Sequence, residues 1–180
     1  MRIIAGTHRS RKLQTLEGMN TRPMTDRMKE AIFNTIGPFF DGGIVLDLFG
    51  GSGALTLEAI SRGIDKAYIT DNSVEAIKVI TDNVKTLKEE AKVNVLKLDY
   101  MQALKKFKDL QFNLIFLDPP YRMNITNDII NFLLEHHMVS PNGIIVCQYV
   151  KGNLQSVETL SLRKNFAYGK SEVSIYEMGV

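Results

Sequence analysis

The chain has 180 residues, of which 44% are hydrophobic and 23% charged, a globular composition that excludes a mainly disordered or fibrous protein. At this length we expect one domain with a sizeable core. The longest apolar runs hold four residues, as at 114–117, so we expect neither a membrane span nor a secretory signal. The single cysteine, Cys147, excludes an internal disulfide, and we expect a protein of the reducing cytoplasm.

The net charge of +2 is unevenly distributed. Residues 1–29 carry seven basic and two acidic side chains, a balance of +5, and the rest of the chain carries −3. A basic end on a mildly acidic body suggests contact with a polyanion at that end. A solvated arm with no partner is the alternative.

The first forty residues predict a small N-terminal unit. Residues 2–6 and 12–15 are predicted as two short strands of a hairpin around a basic turn. A helix follows, capped by Thr25 or Asp26 and ended by Gly37 and Pro38. Its apolar face is predicted from residues at three- and four-residue steps: Met28, Ala31, Ile32, Thr35 and Ile36.

From residue 43 onward, short apolar segments alternate with helical patterns. Strands are predicted at 44–48, 66–70, 93–98, 113–117 and 143–148, and helices at 53–62, 73–88, 101–107 and 127–137. This alternation predicts an α/β protein whose mostly parallel sheet is covered on both faces. Residues 161–168 and 172–178 add an antiparallel last hairpin, which makes seven strands. We divide the chain into an appendage, 1–40, and a main domain, 41–180, with ligands at the carboxyl ends of the strands.

A glycine-rich turn connects the first strand of the main domain to the next helix. It runs from Asp47 to Ala54 with the sequence DLFGGSGA. Glycine permits positive φ and a close approach of a ligand to the backbone, although a purely structural turn is the alternative. The segment lacks the GK[ST] of a P-loop, and Asp47 would repel a pyrophosphate. An acid at this point suits a ligand with a cationic ammonium group and no phosphate, such as S-adenosylmethionine (SAM).

Two further acids follow the next two strands. Asp71 lies 24 residues after Asp47, where an acid can accept hydrogen bonds from both ribose hydroxyls of a nucleoside. Asp99 follows the third strand and could receive the amino group of adenine. For both residues the alternative is a helix N-cap.

The sequence Asp118-Pro119-Pro120-Tyr121 ends the fourth strand of the main domain. The prolines cannot continue a central strand, so they stiffen its exit. An exocyclic purine amine is a poor nucleophile because its lone pair is delocalised into the ring. Acceptors for both N–H groups, here Asp118 and the Pro119 carbonyl, favour a pyramidal nitrogen that points its lone pair at an incoming methyl group. Tyr121 offers a face on which the base can stack; a rigid turn without chemistry is the alternative.

Other chemistries are disfavoured by what the sequence lacks. Cys147 lies within an apolar strand, so we expect a core residue rather than a nucleophile. The sequence has no His/Cys cluster with metal-ligand spacing, so we expect no metal.

These motifs together resemble those of class I SAM-dependent methyltransferases that act on amino groups. The N-terminal stretch is similar to that of the RsmD family, bacterial 16S ribosomal RNA guanine-N2 methyltransferases, at MRIIAG (1–6), RKL (11–13) and NTRPMTDR (20–27). The resemblance covers nearly the whole chain and is weakest over 150–170. Two residues depart from the family pattern, because Gly50 replaces an alanine and Asp71 stands where glutamate is frequent.

The resemblance implies a Rossmann-like fold, SAM as the cofactor, and a guanine of 16S rRNA, free or in the small subunit, as the acceptor. It implies these residues at the SAM site: Asp47, Phe49, Gly51, Gly53, Asp71, Asn72, Asp99 and Tyr100. It places the flipped guanine at Asp118, Pro119, Pro120 and Tyr121. From the charge pattern we expect RNA phosphates at Arg2, Arg9, Arg11, Lys12 and Arg22, the last of which could instead close the active site.

Two rival functions remain open from the sequence. A DNA adenine-N6 methyltransferase shares the Asp-Pro-Pro-Tyr motif, but the chain looks too small for a separate DNA-recognition domain. A noncatalytic SAM- or RNA-binding module would have no need of that motif. We expect a monomer that does not interact with membranes.

Overall fold

The computed structural model describes residues 1–16, 24–155 and 157–179. Over these residues, five α-helices are found: α1 (Asp26–Ile36), α2 (Ala54–Ser61), α3 (Val74–Leu87), α4 (Tyr100–Phe107) and α5 (Thr126–Glu135). The seven strands are β1 (Ile44–Asp47), β2 (Lys66–Asp71), β3 (Val93–Lys97), β4 (Phe112–Leu117), β5 (Val139–Val150), β6 (Leu160–Tyr168) and β7 (Ser171–Met178). The predicted α/β alternation is confirmed, and β5 begins four residues earlier than predicted.

The seven strands form one sheet in the order β3-β2-β1-β4-β5-β7-β6. Strands β1 to β5 pair in parallel, and β7 lies antiparallel between β5 and β6. This confirms the predicted Rossmann-like sheet with an antiparallel last hairpin. The strand order reverses between β1 and β4, and a crevice at such a switch point is where open α/β sheets bind ligands.

Both faces of the sheet are covered by helices, which explains the almost continuous apolar character of the strands. On one face, α1, α2 and α3 contribute Phe33, Leu57 and Ile80 to a core cluster. On the other face, α4 and α5 contribute Leu104 and Ile130. None of the described helices is long and apolar enough to cross a membrane.

The N-terminal segment, residues 1–16, forms a shorter hairpin than predicted. Its two arms are joined by an antiparallel bridge between Arg2 and Lys12. On either side of this bridge, Ile3 N–H donates to the Arg11 carbonyl at 2.9 Å, and the N–H at position 13 donates to the carbonyl of residue 1 at 3.0 Å.

Beyond the bridge, the first arm bonds to α2 instead of to the second arm. Ile4 N–H lies 3.0 Å from both carboxyl oxygens of buried Glu58. The N–H of Thr7 donates to the Ser61 carbonyl at 2.9 Å, so α2 takes the groups that a longer hairpin would pair.

Helix α1 has the predicted start and end. The Thr25 hydroxyl is the N-cap and accepts the Met28 N–H at 3.1 Å, and the helix ends before Gly37. Apolar side chains of the N-terminal segment, Ile3 and Leu13, are buried in the same cluster as the face of α1. The boundary at residue 40 stays a prediction, and these contacts show that the segment packs against the main domain.

Lys29, one of the basic residues of the N-terminal region, is completely buried. Its ammonium group donates to the Arg2 carbonyl, and burial lowers its pKa. It lies beside a buried ion pair in α2, in which Arg62 contacts Glu58 at 3.1 Å. Lys29 therefore adds nothing to the exposed positive surface of the region.

Candidate active site

An open cavity of about 660 Å³ lies at the carboxyl ends of β1 to β5. The cavity is within the range of about 300–1,000 Å³ that small-molecule sites occupy. Residues from the loop after β1, the ends of β2 and β3, the turn after β4 and the end of β5 line its wall. The predicted cofactor and acceptor residues therefore open into one cavity, except Gly53, which is buried at the start of α2.

The glycine-rich turn adopts the conformation for which glycine is required. Gly51 and Gly53 have φ values of +59° and +80°, in the left-handed region that side chains disfavour. A side chain at Gly50 would overlap Ile69, whose Cγ2 lies 2.3 Å from an ideal Cβ position. The turn thus packs tightly against β2 and leaves backbone rather than side chains facing the cavity.

Asp47 is the last residue of β1 and is 3% exposed. Its carboxyl group accepts the Phe49 N–H at 3.3 Å and the Thr56 hydroxyl at 3.0 Å. Burial, with smaller contributions from the charges of Asp118 and Asp71, raises its pKa to about 7 despite these bonds. A cation bound beside Asp47 would favour its ionised form, as the predicted ammonium contact requires.

Asp71 ends β2, and its carboxyl group joins the glycine-rich turn to the start of α3. One oxygen accepts the Gly51 N–H at 3.0 Å and the other accepts the Ser73 N–H at 2.9 Å. The N-cap of α3 is Ser73, whose hydroxyl accepts the Ala76 N–H, so the alternative that Asp71 is the cap is wrong. Each Asp71 oxygen keeps acceptor capacity toward the cavity, where Asn72 also lies.

Asp99, in contrast, is a helix cap. It forms a capping box at the start of α4, in which its side chain accepts the Gln102 N–H at 2.8 Å. Its second oxygen is not used by the cap, and the residue lines the cavity, so the predicted adenine contact stays a prediction. Beside it, the rings of Tyr100 and Phe49 stack at 5.9 Å and form one continuous aromatic surface.

The acceptor side of the cavity is built by the Asp-Pro-Pro-Tyr turn after β4. Asp118 is reached by solvent from the cavity, yet protein surrounds its carboxyl group, and this desolvation raises its pKa to about 7. Tyr121 begins a short 3-10 turn and is 41% exposed. Its hydroxyl accepts the Gln148 side-chain N–H at 2.8 Å and donates to the Ser171 hydroxyl at 3.2 Å.

Some lining residues were missed by sequence reasoning. Six residues of the N-terminal region line the cavity, although no local pattern in the sequence marks them for that position: Met1, Thr15, Leu16, Met24, Thr25 and Asp26. Distance along the chain therefore did not indicate that this region reaches the predicted cofactor site. Gln148 was detectable, because it is a polar residue at the carboxyl end of a predicted parallel strand, like the acids.

Four of the predicted RNA-binding residues, Arg2, Arg9, Arg11 and Lys12, are not among the residues that line the cavity. Arg9 and Lys12 are exposed, Arg2 contacts Asp26 at 3.8 Å, and Arg22 lies outside the described residues. The Arg11 guanidinium donates to the Thr86 carbonyl at 2.9 Å, in the last turn of α3. Thirteen residues of helix separate Thr86 from the cavity-lining Ser73, about 20 Å along the axis. RNA contact by these residues stays a prediction.

Two other sequence expectations concern Cys147 and metals. Cys147 is completely buried in β5, and burial raises its pKa to about 12, so the core role is confirmed. Within residues 1–16, 24–155 and 157–179, no group of three His, Cys, Asp or Glu side chains could hold a metal ion.

The parallel sheet with its antiparallel hairpin, and the cavity at its switch point, define the fold of a class I SAM-dependent methyltransferase. A solved structure from Escherichia coli, "Putative methyltransferase yhhF", superposes with a TM-score of 0.88 and 30% identity, covering 100% of this chain and 98% of the other.

Sequence comparison gives the family. The family model described as "Conserved hypothetical protein 95" matches residues 1–177. "Putative rRNA methyltransferase YlbH" of Bacillus subtilis is 38% identical, with 98% of each chain covered. "Ribosomal RNA small subunit methyltransferase D" of Haemophilus influenzae is 34% identical, covering 98% of this chain and 93% of the relative. The chain belongs to this family, the RsmD family.

Proposed function

We propose that this protein transfers a methyl group from SAM to the exocyclic N2 amine of a guanine in 16S ribosomal RNA, as a step of small-subunit maturation. The observation that carries the proposal is the single cavity shared by the glycine-rich turn and the Asp-Pro-Pro-Tyr turn. Relatives that bear the name "Ribosomal RNA small subunit methyltransferase D" support RNA as the acceptor.

The residues at the ends of β1, β2 and β3 fit SAM, which supplies an electrophilic methyl group. The backbone at Gly51 permits close approach, and positive φ at buried Gly53 lets the turn enter α2. Among residues 1–16, 24–155 and 157–179, no basic side chain lines this part of the cavity to attract a phosphate. Asp47 would hold the ammonium group and Asp71 the ribose hydroxyls. Asp99 would receive the adenine amine, and three more lining residues complete the site: Phe49, Asn72 and Tyr100.

On the acceptor side, Asp118 and the Pro119 carbonyl would each accept one N–H of the guanine amine. The two prolines have no N–H to compete for these acceptors, and they hold the turn rigid. Tyr121, held by Gln148 and Ser171, would stack against the base. A carboxylate whose pKa is near neutrality can also take the proton that the methylated nitrogen releases.

Exposed basic residues of the N-terminal region would contact RNA phosphates on the outside of the molecule. These are Arg2, Arg9, Arg11 and Lys12, together with Arg22. The charge balance of +5 over residues 1–29 motivates this part of the proposal. We propose that the protein acts as a monomer in the cytoplasm.

The experiment is transfer of tritium from labelled SAM to unmethylated 16S rRNA, with duplex DNA as the control acceptor. We expect label in the RNA alone, recovered as N2-methylguanosine after digestion to nucleosides. Label in DNA, as N6-methyladenine, would instead identify the adenine enzyme. SAM binding without transfer to either acceptor would identify a binding module.

A further inference from the structure

Gln148 is a polar residue at the acceptor side that the proposed function uses only to hold Tyr121. It is 5% exposed and lines the cavity together with Asp118 and Pro119. In the parallel pair of β4 and β5, Leu117 lies opposite Cys147, on strands about 4.8 Å apart. Asp118 and Gln148 each follow one member of this pair, so their backbones leave it side by side.

The hydrogen bonds around Tyr121 fix which end of the Gln148 amide faces the cavity. The Tyr168 carbonyl can only accept, and the Ser171 hydroxyl donates to it at 2.9 Å. With its one proton used, Ser171 accepts from the Tyr121 hydroxyl, which in turn accepts from the Gln148 amide nitrogen at 2.8 Å. These three consecutive hydrogen bonds direct the amide nitrogen of Gln148 toward the Tyr121 hydroxyl.

The amide oxygen of Gln148 is left as an acceptor. Among the residues that the structure describes, no group donates to this oxygen, and it is not one of the buried polar atoms that lack a partner. Gln148 lines both the large cavity and a small adjoining pocket, and Pro119, Pro120 and Tyr121 line both as well, so the oxygen lies next to the predicted amine site.

We infer that Gln148 is a specificity-determining residue, whose amide oxygen accepts the N1–H of the target guanine; this rests on the proposed function. On the Watson–Crick edge of guanine, the N2 amine stands next to N1–H, a second donor. On the corresponding edge of adenine, the N6 amine stands next to N1, a bare acceptor. An oxygen held beside the amine site therefore pairs with guanine and opposes the lone pair of adenine N1.

The test compares two RNAs whose target bases differ at N1 and at C6, and the Gln148 variants isolate the contact to N1. The target guanosine is first located in 16S rRNA by mass spectrometry of the wild-type product. A second 16S rRNA is then assembled by ligation with 2-aminopurine at that position, which keeps the 2-amine but has no O6 and has an N1 acceptor without hydrogen. The measured quantity is the ratio of kcat/KM for guanosine to that for 2-aminopurine.

For the wild type, we expect a ratio of roughly 10 to 100, the discrimination of one or two well-placed hydrogen bonds. Gln148→Glu, which keeps an oxygen acceptor in either protonation state, should retain that ratio. Gln148→Leu, which has none, should bring it to about 1, a loss of the whole discrimination. Since a ratio is measured, a general loss of activity in either variant does not affect the comparison, and SAM affinity checks the fold.

Two results would overturn the inference while leaving the proposed function intact: wild-type enzyme that does not discriminate, or a Gln148→Leu ratio equal to that of the wild type. The first of these results is measured on the wild-type enzyme, so it does not depend on whether a variant folds. Methylation of adenine instead of guanine by the wild type would overturn both the inference and the proposed function.

Discussion

Asp47 and Asp118 lie at the ends of neighbouring parallel strands and open into the same cavity. In the pairing of β1 with β4, Asp47 is opposite Phe116, two residues before Asp118. Burial is the main cause that raises the pKa of Asp47 to about 7, and the charge of Asp118 is a smaller cause of the same shift. The cofactor and acceptor sides of the cavity are therefore electrostatically coupled before any ligand binds.

The pH dependence of the rate should report the ionisation of Asp118. Because burial raises its pKa to about 7, lowering the pH through 7 protonates the carboxylate and removes its acceptor for the amine. We expect kcat at saturating SAM and RNA to fall about tenfold per pH unit below that point. Asp118→Asn should be slow and lack this inflection; the same inflection in that variant would assign it to another group.

Asp47→Asn should stabilise the ligand-free protein and weaken SAM binding, as expected if Asp47 binds the ammonium group of SAM. The folded state holds the proton of Asp47 to a higher pH than the unfolded chain, so stability falls as the pH rises from about 3.8 to about 7. Above pH 7, asparagine should stabilise the ligand-free protein by up to about 4 kcal/mol, the free energy of that pKa shift.

The same variant should weaken SAM binding, because asparagine has no charge to oppose the ammonium group. Urea unfolding at pH 8 and calorimetric titration with SAM measure the two effects. Reduced stability with unchanged SAM affinity would make Asp47 a structural residue held by Phe49 and Thr56.

Asp71→Ala should weaken SAM binding by roughly 1.5–3 kcal/mol, the contribution of charged hydrogen bonds. The effect should include some loosening of the turn, since Asp71 also accepts the Gly51 N–H. Ser73→Ala is the matched control, because it removes the true cap of α3, at a cost of about 1 kcal/mol of stability, and leaves the Asp71 carboxylate at the cavity. Equal SAM affinities for the two variants, measured by calorimetry, would reject the ribose role.

Basic residues of the N-terminal region should set the salt dependence of RNA binding. Replacing Arg9, Arg11 and Lys12 together by Ala should flatten the slope of log affinity against log salt by about 0.7–0.9 for each phosphate that these side chains neutralise. SAM affinity should not change, since none of the three lines the cavity. Arg11 also donates a hydrogen bond to the end of α3, so its replacement can lower stability as well as RNA affinity. A melting curve of the single variant Arg11→Ala measures the effect on stability separately. If the wild type and the triple variant have equal salt slopes, these three side chains do not bind phosphates, and the N-terminal region is a solvated arm.

The sequence was informative where local chemistry decides the structure. Buried strands of β-branched residues, the glycines at positive φ and the prolines after β4 each have a local physical cause, and they predicted the sheet and the two halves of the site. Asp71 shows the limit of such reasoning. Its spacing predicted a position at the cavity, but not its bond to Gly51, which depends on how two strand ends pack together.

The N-terminal segment was the least predictable part, because its conformation depends on partners distant in sequence. Arg2 pairs with Lys12 as the predicted hairpin requires, but Glu58 and Ser61, more than fifty residues away, accept the next free backbone N–H groups and so shorten the hairpin. Lys29 counts as basic in the sequence, yet burial removes it from the surface. No local pattern shows which side chains reach the cavity from this segment.

The central claim is that the Asp-Pro-Pro-Tyr turn and the glycine-rich turn act on one guanine amine and one SAM in a shared cavity. The most direct measurement is single-turnover methylation of 16S rRNA by Asp118→Ala, together with its SAM affinity. The account predicts a rate lower by on the order of 10²–10³, the effect of removing one preorganised partner, with SAM binding retained. Near-normal turnover by this variant would contradict it and leave Asp118 with a structural role only.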